Sequence, residues 1–376
     1  MPHYPRPIRV LLTVPHLNRT ASPYRETMAL AKHLPRDQFQ LTICALRAHG
    51  FSEAEPLIQS LGVRCFVAPF RPTGRSLKHF IVSWQEQKTI DSYGPFDIQH
   101  SMDFTSSPFE AVIARWRSRN FLYSQRNLNE NGHTSLLKIK TACAQRIISI
   151  SRSVSQFLLA EGVNSSTIRE IYLGIDTELP ENPAQSQPCE PPYILFVGQF
   201  ERRKRHQDAI RALALLQSEF PALKLLLIGN TFDEKYVNQL HELADNLGLS
   251  DRVLFLGPRS DVLHLMRSAS ALLLCSEKEA FGWVLVEAMS VGLPVISSAV
   301  DGPREIIEHE KTGLLVPVGD VEAYAHQLRR LMNSGELCGA LKAQASATVK
   351  ERHSARTMVR SIQDVYMEML NQGAPN

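Results

Sequence analysis

None of the six cysteines forms a CxxC pair, and none shares a metal-ligand spacing with a histidine. Cys44, Cys65, Cys143, Cys189, Cys275 and Cys338 are scattered singly, mostly inside apolar runs. That pattern excludes a zinc module and fits reduced thiols in a cytoplasmic protein. No apolar run approaches the ~20 residues a membrane-spanning helix needs. The Pro-rich start, residues 1–9, lacks the apolar core of a secretory leader. Excess charge is also missing: 41 basic and 38 acidic residues leave +3, too little to imply nucleic acid as a partner. There is no GxGxxG after a strand with an acid ~20 residues on, and no G-x-S-x-G elbow, so dinucleotide redox chemistry and serine hydrolysis have no support.

What is present is a chain of 376 residues with 44% hydrophobic and 21% charged positions, long enough for two globular domains. Short apolar runs alternate with longer helix-like stretches throughout. In the first half the runs are 8–14, 40–46, 65–69, 96–100, 121–124, 146–150 and 168–173. In the second they are 193–198, 223–229, 252–257, 271–276, 293–297 and 313–317. Many are apolar on both faces, as parallel strands covered by helices on each side must be. The alternation predicts doubly wound α/β domains. Residues 178–192, ELPENPAQSQPCEPP, contain five prolines and read as an interdomain linker. This divides the chain into a first domain at 1–178 and a second at 192–350. Residues 354–370 form a helix with apolar positions Met358, Ile362, Val365, Met369 and Leu370 on one stripe.

The segment from Ser276 to Pro294, SEKEAFGWVLVEAMSVGLP, holds the most chemical information. An apolar strand precedes a polar loop ending at Gly282, and an apolar helix with one acid, Glu287, should start there. Strand, loop and helix in this order direct backbone N–H groups and a positive helix end at an anion, of which a diphosphate is a natural example. Glu279 in the loop suits sugar hydroxyls. Glu287 is costly to bury unpaired, a cost that a ribose diol would resolve. The alternative for each acid taken alone is a solvated loop residue and a core carboxylate paired to backbone.

The whole string, with Ser276, Glu279, Phe281, Gly282, Val284, Glu287, Ala288, Met289, Gly292, Pro294 and Val295 in register, resembles the signature of family-four retaining glycosyltransferases. LADNLGLSDRVLFLG (243–257), DGPREII (301–307) and HEKTGLLVPVGD (309–320) extend the likeness. The resemblance implies a GT-B fold: two doubly wound Rossmann-like domains, with the C-terminal helix crossing back to the first. It also implies a retaining, metal-independent transfer of a hexose from a UDP- or GDP-sugar to a glycan or lipid-linked acceptor. No cofactor is implied. By this likeness Glu279 holds the donor sugar, Glu287 the ribose, Phe281 and Gly282 line the donor, and the backbone at Leu256 and Gly257 faces the base. In VGQFERRKRHQDAI (197–210), Lys204 takes the place of the family's diphosphate lysine. There its point charge would do the work a metal does elsewhere.

Three departures stand out. The family's diphosphate arginine is here Gln199, and Arg202, Arg203 or Arg205 are substitutes that spacing does not separate. The family's glycine loop after the first strand reads Arg19-Thr20-Ala21-Ser22-Pro23. The acceptor-side histidine is replaced by Arg126, a planar multi-donor cation. His100 ends a strand as an acceptor-side histidine does in the family, with a satisfied structural histidine as the alternative.

Two other functions share these features: a nucleotide-sugar-binding protein without transfer, and a same-fold phosphorylase or epimerase. The segment 114–120, ARWRSRN, has two readings. It is a solvated helix end, or a contact for an anionic membrane surface that would place the protein peripherally at the inner face of the cell membrane.

Overall fold

The computed structural model describes residues 6–19, 22–68, 87–102, 105, 107–117, 119–128, 134–176 and 188–371. Most of the proline-rich linker (177–187) and residues 20 and 21 of the loop after the first strand lie outside the described residues. The chain divides into two compact units. One comprises residues 1–174 together with 355–376, and the other residues 175–354.

The first unit is built on a seven-stranded sheet. Its strands are β1 (Ile8–Val14), β2 (Phe39–Ala45), β3 (Arg64–Val67), β4 (Ile98–Ser101), β5 (Asn120–Gln125), β6 (Arg146–Ser149) and β7 (Ile168–Glu170). They run parallel in the order β3-β2-β1-β4-β5-β6-β7. The second unit has β8 (Tyr193–Val197), β9 (Lys224–Ile228), β10 (Val253–Gly257), β11 (Ala271–Leu274), β12 (Val295–Ser298) and β13 (Leu314–Val316). These too are parallel, in the order β10-β9-β8-β11-β12-β13. Both are doubly wound Rossmann-like sheets, and the architecture is GT-B. The strand residues explain why: in β1, β4, β8 and β11 nearly every side chain is buried, on both faces, as layers of helix on each side of a parallel sheet require.

Helix starts follow local chemistry. Ser151, Asp233, Asp320 and Ser334 each accept a backbone N–H three residues on, satisfying a donor that the first turn leaves open. The helix Ala355–Asn371 packs into the first unit, burying Met358, Val359, Ile362, Val365, Tyr366 and Met369. Its Glu368 pairs with Arg146 at 2.9 Å and with Arg169. Its Tyr366 hydroxyl meets His100 Nδ1 at 2.8 Å.

Topology positions the functional regions. In the second unit the chain leaves β8 toward β9 and later returns to β11 on the other side of β8. The loops after β8 and β11 therefore leave neighbouring strand ends at the carboxyl edge of the sheet, the switch point at which open α/β sheets bind ligands. The first unit has the same switch between β1 and β4.

Burial also gives the fold a pH dependence through two histidines. His100 in the first unit and His206 in the second are fully buried, and desolvation pushes each down to about 3. A histidine held neutral in the fold but free to protonate when unfolded contributes nothing adverse above about pH 6.5. Below that, stability falls as pH falls, until the folded value near 3 is reached. Urea unfolding between pH 7 and pH 5 should show a loss approaching about 1.4 kcal/mol per pH unit for each histidine. The His100→Gln variant should lose its share of that slope.

Candidate active site

The site is built from two loops of the second unit. After β8, Gly198 approaches the turn after β9 so closely that a Cβ on Gly229 would lie 1.9 Å from the Gly198 carbonyl oxygen. One 3-10 turn, Arg202–Lys204, follows, and Arg205 in the left-handed region redirects the chain into the helix His206–Leu215. This turn delivers Lys204 to the loop after β11, where its Nζ forms an ion pair with Glu279 Oε2. The two side chains are 12% and 16% exposed, so the pair is mostly withdrawn from water yet still reachable.

The second loop runs from Ser276 to Gly282. Gly282, at φ 96°, stands just before the helix Trp283–Ser290, a backbone geometry that side chains disfavour. Glu279 O accepts from Gly302 N at 2.9 Å, which ties this loop to the start of the helix Asp301–Ile306. Gly302 has to be small: a Cβ there would be 2.4 Å from the Phe281 carbonyl oxygen. Phe281 is buried and meets His353 edge-on at 5.7 Å. Glu287, just over one turn into the helix Trp283–Ser290, is 4% exposed. At the end of β10 the pairing register shifts between Phe255 and Gly257, and Gly257 adopts φ 64°. Gln199 is exposed just beyond β8.

Lys204 and Glu279 are thus in direct contact. Phe281, Gly282 and Glu287 share the adjoining loop and helix, while Gln199 lies just beyond β8 and Gly257 is the last residue of β10 in the same sheet. The three arginines around Lys204 each have polar or charged partners. Arg202 meets Gln239 at 2.9 Å, Arg203 pairs with Glu201, and Arg205 pairs with Asp208 and Glu277. Among the described residues, no three His, Cys, Asp or Glu side chains converge as metal ligands.

Arg126 and His100, the two residues that the sequence assigns to the acceptor side, belong to the first unit. Arg126, just after β5, is buried, pairs with Glu26 of the helix Ser22–His33, and is pushed down to about 10 by desolvation. His100 offers neither nitrogen: Nδ1 meets Tyr366 Oη and Nε2 meets Ser124 Oγ at 2.7 Å. Its geometry is that of the satisfied structural histidine, so it is not carried into an acceptor site. Near the helix end at 114–120, Arg117 and Arg119 both pair with Asp91, while Trp116 is 60% exposed.

Some elements of the site are not evident from motif reading. His206 is packed against Phe196 and Phe200 at 4.2 and 4.7 Å. Arg205 with Asp208 is an i, i+3 charge pair that its spacing in the sequence could have indicated. The partner Glu277, 72 positions away, leaves no such signal.

Two family models cover most of the chain. Residues 180–348 match that of glycosyl transferases group 1, and residues 25–179 that of glycosyltransferase family 4. The chain belongs to the family-4-like glycosyltransferases. Among its family relatives, N-acetyl-alpha-D-glucosaminyl L-malate synthase of Bacillus anthracis is 37% identical over 177 residues, 47% of this chain and 45% of that one. EpsD of Bacillus subtilis is 27% identical over 335 residues, covering 81% and 85% of the two chains. The chain thus spans under half the length of the first relative and most of the second. Solved structures of other proteins share the fold. HepE of Anabaena superposes with a TM-score of 0.79 at 20% identity over 96% of this chain and 100% of its own. A glycosyltransferase from Rickettsia africae does so at 0.80 and 20%, over 98% and 99%.

Proposed function

We propose that this chain transfers a hexose from a UDP- or GDP-sugar to a glycan or lipid-linked acceptor, with retention of configuration and without a metal ion. The observation that carries this reading is the Lys204–Glu279 pair at the carboxyl edge of β8 and β11, beside the start of the helix Trp283–Ser290. A nucleoside diphosphate sugar presents phosphates to a cation and hydroxyls to a carboxylate, and this site holds one of each side by side. HepE has been solved with UDP and with UDP-glucose, which supports the same class of donor here.

In the proposed reaction the bond from the anomeric carbon to the diphosphate breaks as the acceptor hydroxyl attacks from the same face. The acceptor proton passes to the departing phosphate oxygen, so no separate base is needed. Lys204 neutralises the charge that develops on the diphosphate, and fixed N–H groups at the helix start add to that field without reorganising. Glu279 binds the hydroxyls of the sugar being moved, and Glu287 the ribose. Gln199 and Gly257 complete the donor side, and Arg126 stays on the acceptor side as a buried charge of the first unit. The ion pairs of Arg117 and Arg119 with Asp91 favour a solvated helix end over a membrane contact.

A panel of nucleotide sugars screened by thermal shift should identify the donor, because a bound donor raises stability by mass action. Transfer from that donor should persist in EDTA. A strict need for added Mg²⁺ or Mn²⁺ in the chemical step would overturn the role given to Lys204. Donor binding without transfer would instead favour a binding protein.

A further inference from the structure

Arg205 is one of two non-glycine residues with positive φ among the described residues, at φ 55°. A side chain disfavours this backbone and glycine adopts it freely, so an arginine here has to be held by what its side chain does. Its guanidinium grips Asp208 with Nε at 2.5 Å and Nη2 at 3.2 Å, and reaches Glu277 Oε1 with Nη1 at 2.9 Å. Asp208 is fully buried on the helix that follows, whereas Glu277 sits in the loop after β11, two residues before Glu279. The same loop is tied a second time by Glu277 N donating to Arg203 O at 2.8 Å. Gly319 closes over the guanidinium, where a Cβ would lie 3.0 Å from Nη2.

We propose that Arg205 is a positioning residue of the donor site: it bridges the buried Asp208 to Glu277 and so fixes the loop that brings Glu279 to Lys204. This rests on the reading of Lys204 and Glu279 as donor contacts. Arg205 itself touches no substrate, and its planar fork is what lets one side chain hold two carboxylates at once.

Glu277 separates this role from general stability, because its side chain is 48% exposed while Asp208 is sealed. Glu277→Ala should leave the melting temperature and the affinity for free nucleoside diphosphate nearly unchanged. It should lower kcat about tenfold, as a small misplacement of a reacting-site contact does. Glu277→Gln keeps an acceptor for Nη1 and should recover part of that loss. Full kcat in Glu277→Ala would overturn the proposal, and so would a loss of nucleotide affinity equal to the loss of kcat. Lys204→Met, assayed alongside, separates the two failures. If Lys204→Met is strongly impaired and Glu277→Ala is fully active, only the bridge is wrong. If Lys204→Met is itself fully active, the donor-site reading fails.

Discussion

Replacing Lys204 by methionine is expected to lower kcat about 10²–10³-fold, the range seen when one preorganised charge or donor at a developing anion is removed. Methionine keeps the length of the stem and deletes only the ammonium. The effect should fall on kcat more than on KM, because the phosphate charge that Lys204 balances is largest as the glycosidic bond breaks. Some stability should be lost as well, since the pair with Glu279 is mostly withdrawn from water and the substitution leaves that carboxylate without its cation, so a melting curve is recorded beside the kinetics. Lys204→Arg should not restore full activity, because a planar fork does not replace a compact point charge at this spot. Glu279→Gln and Lys204→Met act on one ion pair, so the double variant should lose less than the product of the single losses. Steady-state kinetics of the four variants and the unaltered protein with one donor checks all of this. An additive double variant would show that the two residues work independently.

Glu287 and Glu279 should separate in a binding experiment. Glu287, 4% exposed, is assigned to the ribose, which both donor and product nucleotide contain. Glu279 is assigned to the sugar being moved, which the product nucleotide lacks. Loss of a charge-assisted hydrogen bond costs roughly 1.5–3 kcal/mol, about ten- to a hundredfold in affinity. Glu287→Ala should weaken free nucleoside diphosphate by about that factor. Glu279→Ala should leave nucleotide affinity nearly unchanged and reduce transfer, since its contact strengthens as the sugar approaches its transition state. Calorimetric titration of both variants with UDP and GDP decides it. An equal loss of affinity in the two would sink the division of roles.

The architecture was legible because parallel strands buried on both faces must be written as unbroken apolar runs. IRVLLTV, YILFV and ALLL can hardly be anything else, and β1, β8 and β11 stand where those runs are. The neighbourhood of Lys204 and Glu279 was legible for a topological reason, since loops after adjacent strands at a switch point share one crevice. Partner choice across long sequence distances was not legible. His100 looked available for an acceptor, but Tyr366, 266 positions on, and Ser124 take both its nitrogens. Arg126 stood in the place of an acceptor-side histidine, and Glu26, 100 positions earlier, pairs with it. The same holds for Arg205 and Glu277. Side chains of this kind carry no periodic signal, and only the folded chain shows which carboxylate each cation meets.

Retaining sugar transfer from a metal-free donor site in the second unit, as proposed, is read on the product. The donor identified by thermal shift would be incubated with candidate glycan and lipid-linked acceptors in EDTA, and the reaction followed by NMR. The expected result is released nucleoside diphosphate and a new glycosidic bond with the same anomeric configuration as the donor, both formed about 10²–10³-fold more slowly in Lys204→Met. A product of inverted configuration, or transfer that proceeds at full rate without Lys204, would contradict it.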